Sequence, residues 1–150
     1  MHVDTGTPFS YGDLESVLGG LGDGFVLTNV QGFITYMNKA AEAIFECSYE
    51  PGSRMLFADI CRLVNLETKE RYFCPVARAI KENRTVGLGK NIGIMHGDVQ
   101  VYLSATCSPR YDKAGNIIGS TSVFRDITML HGLARKMESD QYYMRSVFEA

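Results

Sequence analysis

The chain has 150 residues, of which 45% are hydrophobic and 21% charged, with a formal net charge of -2. That balance belongs to an ordinary globular protein and excludes collagen-like, mucin-like and disordered classes. A single domain of this length buries roughly 70% of the surface its unfolded chain exposes, enough for a core and an internal pocket without metal or disulfide staples.

No apolar run approaches the roughly 18 residues of a membrane span, and residues 1–10 lack the basic start and apolar stretch of a signal peptide. The expected location is therefore cytoplasmic, with no membrane contact. A slightly acidic chain without a Lys/Arg cluster offers no electrostatic footprint for direct nucleic-acid binding. The four cysteines, Cys47, Cys61, Cys74 and Cys107, form no C-x-x-C pair, so neither a zinc cage nor a thioredoxin-type site is written here. Buried free thiols are the expected state; Cys61 and Cys74 become a redox pair only if folding brings them together.

In chain order, Tyr11, Leu14, Val17, Leu18 and Leu21 recur at three- and four-residue steps and predict an amphipathic helix over residues 1–23, closed by Gly22-Asp23-Gly24. Residues Phe25 to Val30 and Phe33 to Asn38 are β-rich runs around Gln31-Gly32 and predict an antiparallel hairpin. Asn38 stands at a helix cap ahead of Lys39-Ala-Ala-Glu-Ala-Ile-Phe45. From Cys47 to Glu70 the apolar residues Met55, Leu56, Phe57, Ile60, Leu63 and Val64 are not cleanly periodic, which favours short helical turns over strands. Pro75 at a first helical position, with Val76, Ala79 and Ile80 on one face, predicts a helix ending near Asn83.

The last third changes period. Val86 to His96, Val99 to Arg110 and Ile117 to Asp126 predict three antiparallel strands, split by Gly97-Asp98 and by Asp112-Lys-Ala-Gly-Asn116. Strands at both ends with helices between them define an α+β domain. In the fourth strand Val101, Leu103, Ala105 and Cys107 share one face, expected to point inward, and Tyr102, Ser104 and Thr106 share the other. If Phe124 points inward, so do Ser122 and Ser120, and such small residues leave room either for a hollow or for a closely packed helix.

Beyond Asp126-Ile-Thr128 the residues Leu130, Leu133, Met137, Met144 and Val147 step by three and four, as a coiled-coil seam does. Asp140 within that stripe and Gly132 weaken it, and an amphipathic helix docking on its own sheet is the alternative. Asp126 or Thr128 is placed to cap this helix and so to join it to the last strand. Leu14-Glu-Ser-Val-Leu18 is echoed by Met144-Arg-Ser-Val-Phe148, where a second, similar unit of a longer chain would begin.

Enzymatic patterns are poorly matched. Gly87-Leu-Gly-Lys-Asn-Ile-Gly93 fits neither G-x-G-x-x-G nor G-x-x-x-x-G-K-[ST] and reads better as a bulged or closely packed strand. There is no G-x-S-x-G elbow, and no nucleophile, base and orienting group stand at a mechanism-specific spacing.

The chain resembles the PAS sensor domains from about Gly24 to Thr128. The resemblance rests on Gly24-Phe-Val-Leu-Thr-Asn29, Gly32-Phe-Ile-Thr-Tyr-Met-Asn-Lys-Ala-Ala-Glu-Ala-Ile-Phe45, Cys74-Pro-Val-Ala-Arg-Ala-Ile80 and Phe124-Arg-Asp-Ile-Thr128. Asn29 stands where that family more often shows Asp. The resemblance implies a five-stranded antiparallel sheet of order 2-1-5-4-3 over residues 24–128, short helices over one face, and flanking helices at 1–23 and 129–150. It implies a sensory and dimerisation module rather than an enzyme.

The implied cofactor or ligand surface comprises Val26, Thr28, Leu103, Ala105, Cys107, Ser120, Ser122 and Phe124; the implied transmission residues are Asp126, Thr128, Leu130, Leu133 and Met137. Haem is not expected, because residues 39–83 hold no histidine, while His2, His96 and His131 lie near an end, a turn and the exit helix. Gly52-Ser-Arg-Met-Leu-Phe57 lacks the cysteine of the photoreactive flavin branch, while flavin itself or a small metabolite stays open. Implied partners are a second copy, through the flanking helices, and a downstream output domain: histidine kinase, diguanylate cyclase or phosphodiesterase, or transcription regulator. The alternative is a constitutive interaction module with a filled core and no ligand.

Overall fold

A computed structural model describes the backbone of residues 22–149 and the side chains of residues 22–139. The expected helix around Tyr11 to Leu21 and the stripe residues Met144 and Val147 lie outside the described side chains. Seven antiparallel strands, β1 (Gly24–Asn29), β2 (Ile34–Met37), β3 (Val64–Asn65), β4 (Val86–Gly87), β5 (Ile92–His96), β6 (Val99–Tyr111) and β7 (Ile117–Asp126), form one sheet. The order is β2-β1-β7-β6-β5-β3, with β4 also on β6. Taking β4 and β5 as one broken strand returns the expected 2-1-5-4-3 arrangement, with β3 added at the edge.

Helices α1 (Lys39–Phe45), α2 (Phe57–Ile60) and α3 (Pro75–Glu82) pack on this sheet, and α4 (Thr128–Glu149) leaves it. The hairpin forms where Gln31-Gly32 predicted: Gly32 adopts a positive φ of 92°, and Asn29 Oδ1 accepts from the N–H groups of Gln31 and Phe33. An uncharged amide thus closes this turn. In α1, Asn38 is fully buried and caps as expected: its Oδ1 accepts from Ala41 N and Phe25 N, and its Nδ2 donates to the Asp23 carbonyl, each at 2.9 Å. Pro75 opens α3 and Asn83, in the left-handed region, closes it, also as read from sequence.

Two expectations are corrected. Val86 to His96 is not one strand: Val86 pairs with Cys107, but Gly93 pairs with Tyr102, so the register advances by two residues across Leu88–Asn91. Asn91 sits there at a φ of 62°, and a Cβ on Gly93 would lie 2.0 Å from the Val101 carbonyl oxygen. The glycine run is therefore a bulge leading into a closely packed strand.

The second correction concerns Val64–Asn65, where helical turns were expected and a short strand pairs with β5 instead. Asn65 Oδ1 accepts from Glu67 N and Thr68 N, closing a turn with Lys69 at positive φ. That local turn frees the preceding pair to add to the sheet edge.

The core lies between the sheet and α1–α3. Phe45, Phe57 and Phe124 meet at its centre, with Phe45 edge-on to both others at centroid distances of 5.2 and 4.9 Å. Among the described residues, no helix is long and apolar enough to cross a membrane.

Candidate functional site

The inward alternation read for β6 is present: Val101, Leu103 and Cys107 are buried and Ala105 is half-buried, while Ser104 and Thr106 are exposed. Tyr102 departs from its polar-face neighbours. It is buried, because α4 covers it.

Register brings most of the expected interior set into adjacent rungs. Val26 pairs with Ser122 and Ser122 with Cys107; Gly24 pairs with Phe124 and Phe124 with Ala105; Thr28 pairs with Ser120. Val26, Thr28, Ser120, Ser122, Cys107 and Phe124 are all fully buried. Leu103 sits one rung on, opposite Asp126. The eight residues are therefore one continuous patch across three central strands.

This patch has a polar seam. Thr28 Oγ1 and Ser120 Oγ are 2.7 Å apart, while Ser122 Oγ is buried without a nitrogen or oxygen partner. Its neighbour is the Cys107 thiol, which burial pushes up to about 12 even though Ser122 favours the charged form. Phe45, Phe57 and Phe124 occupy the space beside it. His96 Nε2 is engaged by the Ile44 carbonyl at 2.7 Å, tying β5 to α1.

Clefts open around this core. One of about 200 Å³ is lined by Val30, Leu56, Cys74, Ala77, Ile80 and Lys81. Another, of about 470 Å³, runs beneath α4 and is lined by Lys90, Asn91, Tyr102, Ser104, His131 and Arg135.

The junction of β7 with α4 carries the clearest geometry. Ile127 N donates to Tyr102 O at 2.8 Å, extending the ladder one residue past Asp126. Asp126 Oδ1 accepts from Thr128 N at 2.9 Å and from the Thr128 hydroxyl at 2.6 Å. Thr128 Oγ1 in turn accepts from Tyr102 N at 3.0 Å. Sequence reading named both residues but left open which caps; Asp126 takes the helix end and Thr128 binds the sheet.

Three partners in this junction were not read from sequence. His131 stacks on Tyr102 at 3.7 Å and its Nε2 lies 3.1 Å from Asn91 Oδ1. A lone aromatic, Tyr102, on the polar face of β6 was the available signal. Leu130, Leu133 and Met137 do not pack on the sheet: they are 60%, 52% and 62% exposed, with Met129 beside them at 80%. The helix docks through His131 and presents its apolar stripe outward.

The incoming chain is held nearby. Arg125 reaches both carboxylate oxygens of Asp23, at 3.1 and 3.0 Å. Hence Asp23 is gripped through its backbone by Asn38 and through its side chain by the last strand.

An antiparallel sheet of this order, roofed by short helices and continued directly into a projecting helix, is the architecture of the PAS fold. The family model described as PAS fold matches residues 18–132, and the chain belongs to the PAS family. Among solved structures, it is similar to the PAS domain of a protein from Colwellia psychrerythraea, at 21% identity and a TM-score of 0.50, covering 72% of this chain and 88% of that one. It is likewise similar to the PAS domain of the histidine kinase ThkA, at 19% identity and a TM-score of 0.50, covering 69% and 99%. These likenesses show the fold alone. No curated protein matches the chain.

Proposed function

We propose that residues 24–128 form a sensory and dimerisation module, flanked by helices at 1–23 and 129–150, whose internal state biases α4 and thereby a downstream output domain of the same chain. The supporting observation is the junction at Tyr102: one residue of the central strand β6 holds Ile127, Thr128 and His131 together. A displacement of β6 is thus delivered to the first turn of the helix. The output would be a histidine kinase, a cyclic-dinucleotide enzyme or a transcription regulator, and the chemistry belongs to that domain.

In this reading a small ligand or cofactor is received against Val26, Thr28, Leu103, Ala105, Cys107, Ser120, Ser122 and Phe124. Ser122 Oγ, buried and short of a partner, is the group that favours it. A ligand shifts α4 only by as much as its affinity differs between two helix arrangements. The exposed stripe of Leu130, Leu133 and Met137 pairs two copies.

A second reading is a constitutive interaction module. The contact of Phe45, Phe57 and Phe124 favours it, since these rings fill the centre of the core. Native mass spectrometry of freshly purified protein separates the two: a dimer carrying an added small mass supports the sensor, whereas a bare dimer supports the interaction module. Leu133→Glu with Met137→Glu should yield monomers in analytical ultracentrifugation. A folded variant that stays dimeric removes α4 as the interface.

A further inference from the structure

The cleft of about 200 Å³ stands apart from the sheet-facing patch and shares none of its eight residues. Its walls come from three places in the chain: the hairpin turn at residues 30–32, the start of α2 at residues 56–58, and one face of α3. The first two are fastened together, since Phe57 N donates to the Gly32 carbonyl at 2.9 Å and Ile34 N to the Met55 carbonyl at 2.8 Å. The cleft is therefore preformed. Phe57 and Val76 are fully buried at its floor, whereas Val30 and Ala77 are exposed at its mouth.

We propose that this cleft binds a small monocarboxylic acid, its aromatic or short alkyl body against Leu56, Val76 and Ile80 and its carboxylate on Lys81.

Charge selects the acid. Glu82 is the one carboxylate of α3, and it is already engaged: its Oε2 accepts from Arg78 Nε and its Oε1 from Arg84 Nε, each at 2.7 Å. Lys81 is left without an ion pair or hydrogen bond among the described residues, and among those residues it is the one cation lining the cleft. The Gln31 side-chain amide, at the turn that faces it, adds a neutral donor. One ammonium on a largely apolar wall matches a single negative charge; the nearly two charges of a phosphate would leave one unpaired against that wall.

Size sets the body. Pockets for drug-sized ligands run to about 300–1,000 Å³, so a cleft of about 200 Å³ admits a phenyl ring or a chain of a few carbons. Orientation follows from the other ionisable group in the lining, Cys74. Hydrogen bonding, first from the Cys61 thiol and then from the N–H groups of Ala77 and Val76, outweighs burial and brings the Cys74 thiol down to about 6. Cys74 opens α3 seven residues before Lys81, about 10 Å along the helix axis and more than a Debye length at physiological salt. The carboxylate thus sits at the Lys81 end and the apolar body points toward Cys74.

The floor of the cleft is also the outer side of the aromatic cluster. Phe57 lies 5.2 Å from Phe45 and 5.6 Å from Phe124, and Phe124 belongs to β7, the strand that continues into α4. An occupant packs on that cluster from outside.

This assignment rests neither on the sheet-facing patch nor on the reading of α4, because its test reads binding at the cleft itself. Phenylacetate and hexanoate, added at pH 7 up to about 10 mM to the full nitrogen-15-labelled chain, should give saturable amide shifts at Gly32, Ala58, Ala77 and Lys81 with at least one of the two. The corresponding neutral amide should bind about fivefold more weakly, as the loss of one exposed ion pair requires.

Lys81→Gln should lower the acid to the affinity of its amide, and Lys81→Arg should restore the difference. Ala77→Leu, a good helix former at an exposed helical position, should close the mouth and abolish binding of both. No saturable shift with either acid, equal affinity for acid and amide in the wild type, or shifts confined to residues 120–124 would overturn the proposal. Should Ala77→Leu fail to fold by circular dichroism, the acid-to-amide ratio of the wild type against Lys81→Gln decides the matter alone.

Discussion

Replacing Asn38 by Ala removes three hydrogen bonds at once, to Ala41 N, Phe25 N and Asp23 O. Loss of the helix cap costs about 1 kcal/mol. Stranding the Phe25 N–H and the Asp23 carbonyl adds about 1 kcal/mol each at the low end of the range for buried orphans, for a total of about 3 kcal/mol. Against a typical domain stability of about 5–15 kcal/mol that is a large fraction. Asn38→Asp keeps the acceptor for Ala41 and Phe25, gains from the helix dipole, and sets a carboxylate against the Asp23 carbonyl, for a net cost of about 1 kcal/mol.

Urea denaturation should therefore rank the wild type first, Asn38→Asp second and Asn38→Ala last in midpoint, at an unchanged m-value. Thermal melts should place Asn38→Ala roughly 10 °C below wild type. If the change to Ala costs under about 1 kcal/mol, or the change to Asp costs as much as that to Ala, Asn38 is not the clamp described.

Further expectations follow from other contacts. Gly93→Ala drives a Cβ into the Val101 carbonyl and should destabilise by about 3 kcal/mol in urea, whereas Gly97→Ala, with nothing near its Cβ, should cost less; equal costs would remove the close approach as the cause. Phe124→Ala opens the centre of the aromatic cluster and should cost about 4 kcal/mol, and a loss under about 2 kcal/mol would mean the cluster collapses to fill the gap. His131→Ala should speed amide exchange in the first turns of α4 while leaving β1 and β7 protected, as read by hydrogen–deuterium exchange.

The Cys74 contribution has a definite sign. A folded-state value of about 6 against 9.0 means the folded protein binds fewer protons between those values, so stability rises with pH across that window and the gain is lost as pH falls through about 6. Cys74→Ser should flatten this slope; an unchanged slope would assign it to another group.

Local chemistry was legible because it is written in neighbouring residues. The Gln31-Gly32 turn, the Asn38 cap, Pro75 and Asn83 at the ends of α3, and the alternation of Val101 to Cys107 each need only a few residues in sequence, and each stands in the fold. What escaped depends on partners far along the chain. The break in Val86 to His96 follows from how β6 receives its edge, and Val64–Asn65 becomes a strand only because β5 is there to pair with it.

The candidate site divides in the same way. Burial of Val26, Ser120, Ser122 and Phe124 follows from period-two patterning on strands whose order the resemblance implied. The His131 stack on Tyr102 and its contact with Asn91 require the packed tertiary structure, which residue spacing does not encode.

The double grip on Asp23 has a mechanical consequence. Its carbonyl is fastened to the roof at Asn38 and its carboxylate to Arg125, next to the Asp126 that caps α4. Torque applied to the chain where it arrives is therefore borne at the same corner as torque where it departs. Asp23 and Arg125, far apart in the sequence, are thereby fastened into one corner of the fold.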